Sequence, residues 1–109
     1  MTAWIEIAPP DGPDGTIREL RLHGKRICLV RCAGVWYAVG ARCPHAGGPL
    51  AAGFVNDRCQ VVCPWHRFGF DLHTGESASG GYFIPTYPLR NEDGRCWIGM
   101  PRRPWWRRG

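Results

Sequence analysis

Cys43-Pro44-His45 and Cys63-Pro64-Trp65-His66 decide the reading of this chain. Each half sets one thiol and one imidazole close together, and seventeen residues lie between His45 and Cys63. Two sulfurs and two ring nitrogens on two short loops suit a metal centre. Tetrahedral zinc with two cysteines and two histidines is one solution. A [2Fe–2S] cluster in which two histidines replace two cysteines on one iron is the other. Either half alone would carry little information. The prolines after the cysteines have a fixed φ and no N–H to donate, as tight knuckle-like turns require. The nearby glycines, Gly47, Gly48 and Gly69, would let backbone come close to a cluster.

Around these loops the sequence reads as short strands and turns. Residues 4–7 form a first apolar run, ended by Pro9 and Pro10. Residues 17–22, 26–31 and 35–39 follow, divided by His23-Gly24 and Ala33-Gly34, as an antiparallel meander. Phe54-Val55 and Gln60-Val61-Val62 predict a hairpin around Asn56-Asp57. A late strand is expected over 82–89, broken by Pro85, and a last one over 96–100. No stretch keeps helical periodicity over three turns. The expected fold is all-β, an antiparallel sandwich or barrel. A metal-binding lobe is inserted at about 42–76 of a single domain covering 1–109, and a basic tail occupies about 101–109.

Composition agrees with this picture. The 109 residues include 15 glycines and 10 prolines, and 12% are aromatic, which suits many turns and short strands. No apolar run approaches the ~18 residues of a membrane span. The N-terminal Met1-Thr2-Ala3-Trp4-Ile5-Glu6 shows no secretion signal, so a cytoplasmic protein is expected. Six cysteines in such a chain suggest metal or redox chemistry rather than a disulfide framework. Cys28 and Cys32, four apart in one strand, are separated by roughly 13 Å, too far to be bridged. Cys28, Cys32, Cys59 and Cys96 are therefore read as small apolar packing residues. The net charge of +5 is concentrated in Arg102-Arg103-Pro104-Trp105-Trp106-Arg107-Arg108. That tail reads first as a solvated end. Docking on an acidic protein, or weak contact with nucleic acid or an anionic membrane, are sharper alternatives.

The two ligand loops, followed by Phe68-Gly69-Phe70-Asp71 and Thr74-Gly75, resemble the Rieske [2Fe–2S] signature. Tyr37-Ala38-Val39 before them and Thr86-Tyr87-Pro88-Leu89 after them extend the resemblance to small Rieske ferredoxins, over roughly residues 3–100. It implies one cluster per chain, with Cys43 and Cys63 on the inner iron and His45 and His66 on the outer, surface-facing iron. Leu50, Trp65, Phe68 and Phe70 are expected to wall the cluster. His23 and His73 are read as surface residues and Asp71 as a turn cap.

The departures from high-potential relatives are informative. Those proteins clamp the loops with an extra disulfide, and its positions fall here on Gly48 and Trp65. They also direct a serine and a tyrosine at sulfur, where this chain has Phe68 and Phe70. A potential toward the bottom of the roughly −150 to +300 mV Rieske range is expected.

The resemblance implies a one-electron carrier rather than an enzyme. It would take electrons from a flavin reductase and pass them to a terminal oxygenase, with no small-molecule substrate and no nucleic acid partner. The alternatives are a cluster-bearing small subunit of a larger, nitrite-reductase-like oxidoreductase, and a zinc interaction module. A complete oxygenase would also need a mononuclear iron site with two histidines and a carboxylate. The chain has only four histidines, and two are already committed.

Overall fold

The computed structural model describes residues 2–44, 47–65 and 67–101. The strands are β1 (Thr2–Ile7), β2 (Ile17–Leu22), β3 (Lys25–Cys32), β4 (Val35–Gly40), β5 (Phe54–Val55), β6 (Gln60–Val62), β7 (Gly69–Asp71), β8 (Thr86–Tyr87), β9 (Leu89–Glu92) and β10 (Arg95–Pro101). The only helical element among the described residues is a 3-10 turn at Leu50–Ala52. All strand pairs are antiparallel and form three sheets, ordered β1-β10-β9, β2-β3-β4-β8 and β5-β6-β7. The all-β expectation is met.

Turn chemistry explains the hairpins. His23-Gly24, Ala33-Gly34 and Asp93-Gly94 each place two successive residues at positive φ, between +51° and +77°. Two-residue connections of this kind match the twist of the strands they join.

The sheet containing β3 and β4 is the middle layer. On β3, Ile27 and Leu29 face a core shared with Ala38, Ile98 and Met100. Cys28, Val30 and Cys32 face the opposite core, with Val39, Leu50, Val61 and Phe70. Burial on both faces explains why residues 27–30 are continuously apolar rather than alternating.

The meander over 17–39 is found as β2-β3-β4. β1 is not part of it and pairs with β10, from Thr2 opposite Pro101 to Ile7 opposite Cys96. The loop over 8–16, with its three prolines, is too long for a hairpin and lets the chain change sheets. Nor is 82–89 one interrupted strand. Only Thr86–Tyr87 joins β4, Phe83 makes a single bridge to Glu76, and β9 starts beyond Pro88 in a different sheet. Proline has no N–H for a continuing ladder, so Pro88 marks the corner.

The cysteine reading is corrected as well. Cys32 and Cys59 form a disulfide, with Cα atoms 5.7 Å apart. Comparing Cys28 with Cys32 excluded only a bridge within one strand. Cys32 ends β3, and Cys59 lies in the β5–β6 turn, which the fold lays against it. Cys59 has φ +54°, a conformation that costs a non-glycine residue about 1–2 kcal/mol. For Cys28 and Cys96 the packing reading holds, because both are buried. Burial pushes the Cys28 thiol up to about 12 and the Cys96 thiol up as well, so neither is a reactive thiolate.

Candidate functional site

Cys43 and Cys63 head two backbone turns of the same design. The Cys43 N–H donates to the Gly48 carbonyl at 2.9 Å, and the Gly47 N–H donates to the Cys43 carbonyl at 2.7 Å. In the second loop the Cys63 N–H donates to the Phe68 carbonyl at 2.8 Å, and the Arg67 N–H to the Cys63 carbonyl at 2.9 Å. The fourth residue after each cysteine has positive φ, +71° at Gly47 and +56° at Arg67. A third turn repeats the closures without a cysteine. There the Asp71 N–H donates to the Glu76 carbonyl and the Gly75 N–H to the Asp71 carbonyl, with Gly75 at φ +78°. The knuckle is thus a general device of this chain, and a cysteine heads two of these three turns. Asp71 caps the third turn as expected, since its Oδ1 accepts the His73 and Thr74 N–H groups.

The two cysteine knuckles face each other. A Cβ built on Gly48 would stand 2.9 Å from Cys63 Sγ and 3.1 Å from Trp65 Cδ2. The first loop therefore comes against the second at a point only glycine permits, and the Gly48 and Trp65 positions are direct neighbours. At Gly69 the close neighbour is different, since a Cβ there would meet the Gln60 amide at 2.9 Å.

Both thiols are buried, Cys43 at 1% and Cys63 at 0% exposure, in one apolar cluster with Leu50 and Phe70. Two buried sulfurs on facing knuckles fit a group held by soft thiolate ligands. The other two expected ligands, His45 and His66, lie outside the described residues. Among the described residues no three His, Cys, Asp or Glu side chains gather as a metal site.

Of the expected walls, Leu50 and Phe70 are fully buried and Phe68 packs against the same cluster. Trp65 is different. It is 58% exposed, so it covers Gly48 from outside rather than filling the core. Phe68 also meets Tyr82, with ring centroids 5.8 Å apart. His73 is at the surface, hydrogen-bonded through Nε2 to the Tyr37 hydroxyl at 3.1 Å, and His23 is exposed in its turn. The disulfide adds a structural pair that the sequence reading missed. Cys59 precedes Cys63 by four residues, and Cys43 lies inside the loop that the bridge closes.

Comparison with known proteins bears on the same residues. The sequence pattern of the Rieske [2Fe-2S] domain family matches residues 3–88. The chain is 32% identical over 100 residues to the ferredoxin component of the naphthalene 1,2-dioxygenase/salicylate 5-hydroxylase systems of a Ralstonia species, covering 89% of this chain and 95% of that one. It is 39% identical over 66 residues to human apoptosis-inducing factor 3, covering 61% of this chain but only 11% of that protein's length. Among solved structures, a candidate NADH-dependent nitrite reductase small subunit from Mycobacterium tuberculosis superposes with a TM-score of 0.83 at 25% identity, covering 94% of this chain and 99% of that one.

Proposed function

The chain belongs to the Rieske [2Fe–2S] domain family, and on that premise we propose that it is a one-electron carrier holding one such cluster. Cys43, His45, Cys63 and His66 are its ligands. The observation that carries this reading is the pair of buried thiols at the heads of two facing knuckles. When bound, the cluster supplies reversible one-electron chemistry. The protein's own residues then do three things. The knuckles fix the thiolates. Leu50, Phe68 and Phe70 keep water from them. The exposed Trp65 lies over the first loop, on the side open to a partner.

Phe68 and Phe70 offer sulfur no hydrogen-bond donor from their side chains, so little stabilises the added electron. This supports a low potential within the Rieske range. A flavin reductase as donor and a terminal oxygenase as acceptor are the proposed partners. No small-molecule substrate, and hence no catalysis by this chain alone, is part of the reading. We also propose one domain over 1–109, with the lobe at about 42–76 and a basic tail over about 101–109 read as a solvated end. Among the described residues no helix is long and apolar enough to cross a membrane, and the cytoplasm is the proposed location.

A second reading, the cluster-bearing small subunit of a nitrite-reductase-like oxidoreductase, is favoured by the coverage and TM-score of that structural match. Gel filtration of the native protein separates the two, since a permanent large complex selects the subunit.

The primary test is the electron paramagnetic resonance spectrum of dithionite-reduced protein made with iron available. A rhombic signal with the low average g of mixed cysteine and histidine ligation is expected. A silent sample containing zinc and no iron would replace the carrier with a zinc module.

A further inference from the structure

An open cleft of about 760 Å³ lies beside the first knuckle, between the β2–β3 turn and the strand that returns from the lobe. Its cations are Lys25, Arg26 and Arg42, all on exposed residues, and no Asp or Glu lines it. Arg26 is already held. Its guanidinium donates to both carboxylate oxygens of Glu19, at 2.9 and 3.0 Å. Lys25 and Arg42 have no ion pair among the described residues. Arg42 lies against the knuckle itself, with Nε 3.4 Å from where a Cβ on Gly47 would stand. Across the β2–β3 ladder, Arg21 sits opposite Arg26 and adds positive charge next to the rim.

Gly48 also lines the cleft. A Cβ there would lie 2.9 Å from Cys63 Sγ, so a single glycine backbone separates the cleft from a ligand sulfur.

We infer that this cleft seats a carboxylate-bearing surface segment of the redox partner, held by Lys25 and Arg42 and placed one glycine away from the Cys63 sulfur. The inference rests on the carrier reading and specifies its docking site. The cations stand on an open rim rather than converging inside a closed cavity, which suits an extended protein segment better than an enclosed small anion. Opposite charges across the contact would steer encounter and fix orientation, with an effect that falls as salt rises. A cluster held by Cys43, His45, Cys63 and His66 would supply a single electron to the oxidised partner, with no covalent bond made or broken.

The test uses the cluster-loaded, ¹⁵N-labelled protein and hexaglutamate as the probe, with hexalysine and monomeric glutamate at matched charge concentration as controls. Expected are saturable amide shifts at Gly24, Lys25, Gly40 and Tyr87 with hexaglutamate only. The affinity should weaken at least tenfold in Lys25→Glu/Arg42→Glu and severalfold in Lys25→Ala. The wild-type affinity should also weaken at least tenfold between low and high salt, a measurement that needs no variant to fold. Shifts confined to residues 102–109, or equal shifts with monomeric glutamate, would overturn the proposal. The paramagnetic resonance signal of the same samples separates the two layers. With the mixed-ligand signal present and the cleft silent, the docking site is wrong and the carrier reading stands. With no signal, both fall together.

Discussion

Removing the Cys32–Cys59 bridge should be among the most destabilising changes that leave Cys43 and Cys63 untouched. The bridge joins residues 27 apart. Treating its effect as lost loop-closure entropy in the unfolded chain gives about 3.5 kcal/mol at 25 °C. For a domain of this size that corresponds to a fall in Tm of about 15–25 °C. The loss should begin locally. Cys43 lies within the closed loop and Cys63 four residues beyond it, so the lobe should open before the base. The assay compares the wild type with Cys32→Ala/Cys59→Ala, heated without reductant. Cluster absorbance reports the lobe and far-ultraviolet circular dichroism the whole chain. In the variant the cluster transition should move below the backbone transition. A thiol count on denatured, cluster-stripped wild type should find four of the six cysteines open to alkylation. Six alkylated cysteines, or a variant melting within about 2 °C of the wild type, would refute the reasoning.

Cys43→Ser and Cys63→Ser should each abolish the visible spectrum of the loaded protein, because thiolate ligation is lost; an unchanged spectrum excludes that residue as a ligand. Phe70→Tyr should raise the midpoint potential in a redox titration if the phenol reaches sulfur, and an unshifted midpoint would mean that it does not. Gly75→Ala should cost about 3 kcal/mol or more in chemical denaturation. Its Cβ would fall 2.0 Å from the Ile84 carbonyl oxygen at a residue with φ +78°, so overpacking and left-handed strain add; a loss under about 1 kcal/mol would contradict the packing at that turn. Burial lifts the Cys28 thiol from 9.0 to about 12. A raised folded value gives stability that is complete below the unfolded value and lost as pH rises through the folded one, so this contribution drains between about pH 9 and 12 at up to ~1.4 kcal/mol per unit. Cys28→Ala should flatten the decline of denaturation free energy with pH over that window, and an unaltered slope would show that Cys28 does not titrate there.

The parts of this fold that local chemistry dictates were legible in the sequence. The X-Gly turns at 23–24, 33–34 and 93–94 force positive φ at two successive positions, and the strands follow from them. The proline after each cysteine and the glycines around the first loop identify two knuckles without any tertiary information. Less legible were features decided by which sheet a strand joins. β1 and β10 lie at opposite ends of the chain, and neither sequence names the other. The sequence places the break of the late strand at Pro85, and nothing local says that the chain changes sheets at Pro88. The disulfide was hidden for the same reason. Cys32 and Cys59 become neighbours only when the lobe folds back on the middle sheet. The one local hint was a cysteine at a hairpin position that usually takes glycine. Likewise, the cleft beside Gly48 needs Lys25 and Arg42, which adjacent strands bring together.

The lobe leaves and re-enters the base at one point. The Gly40 N–H donates to the Pro85 carbonyl at 2.8 Å, and a Cβ on Gly40 would stand 2.8 Å from the Pro85 ring. Two positions far apart in sequence thus form one gate, with β4 on one side and β8 on the other. Everything between them is closed at its two ends by that gate, and it also shares a core with the base, where Cys28, Val30 and Val39 pack with Leu50, Val61 and Phe70. The outer sheet of the base packs into a different core, through Ile98 and Met100. Changes in the outer sheet can therefore accumulate apart from the knuckles, whereas a change in the electron-holding lobe must answer to the scaffold at the gate, at the Cys32–Cys59 bridge and across the shared core.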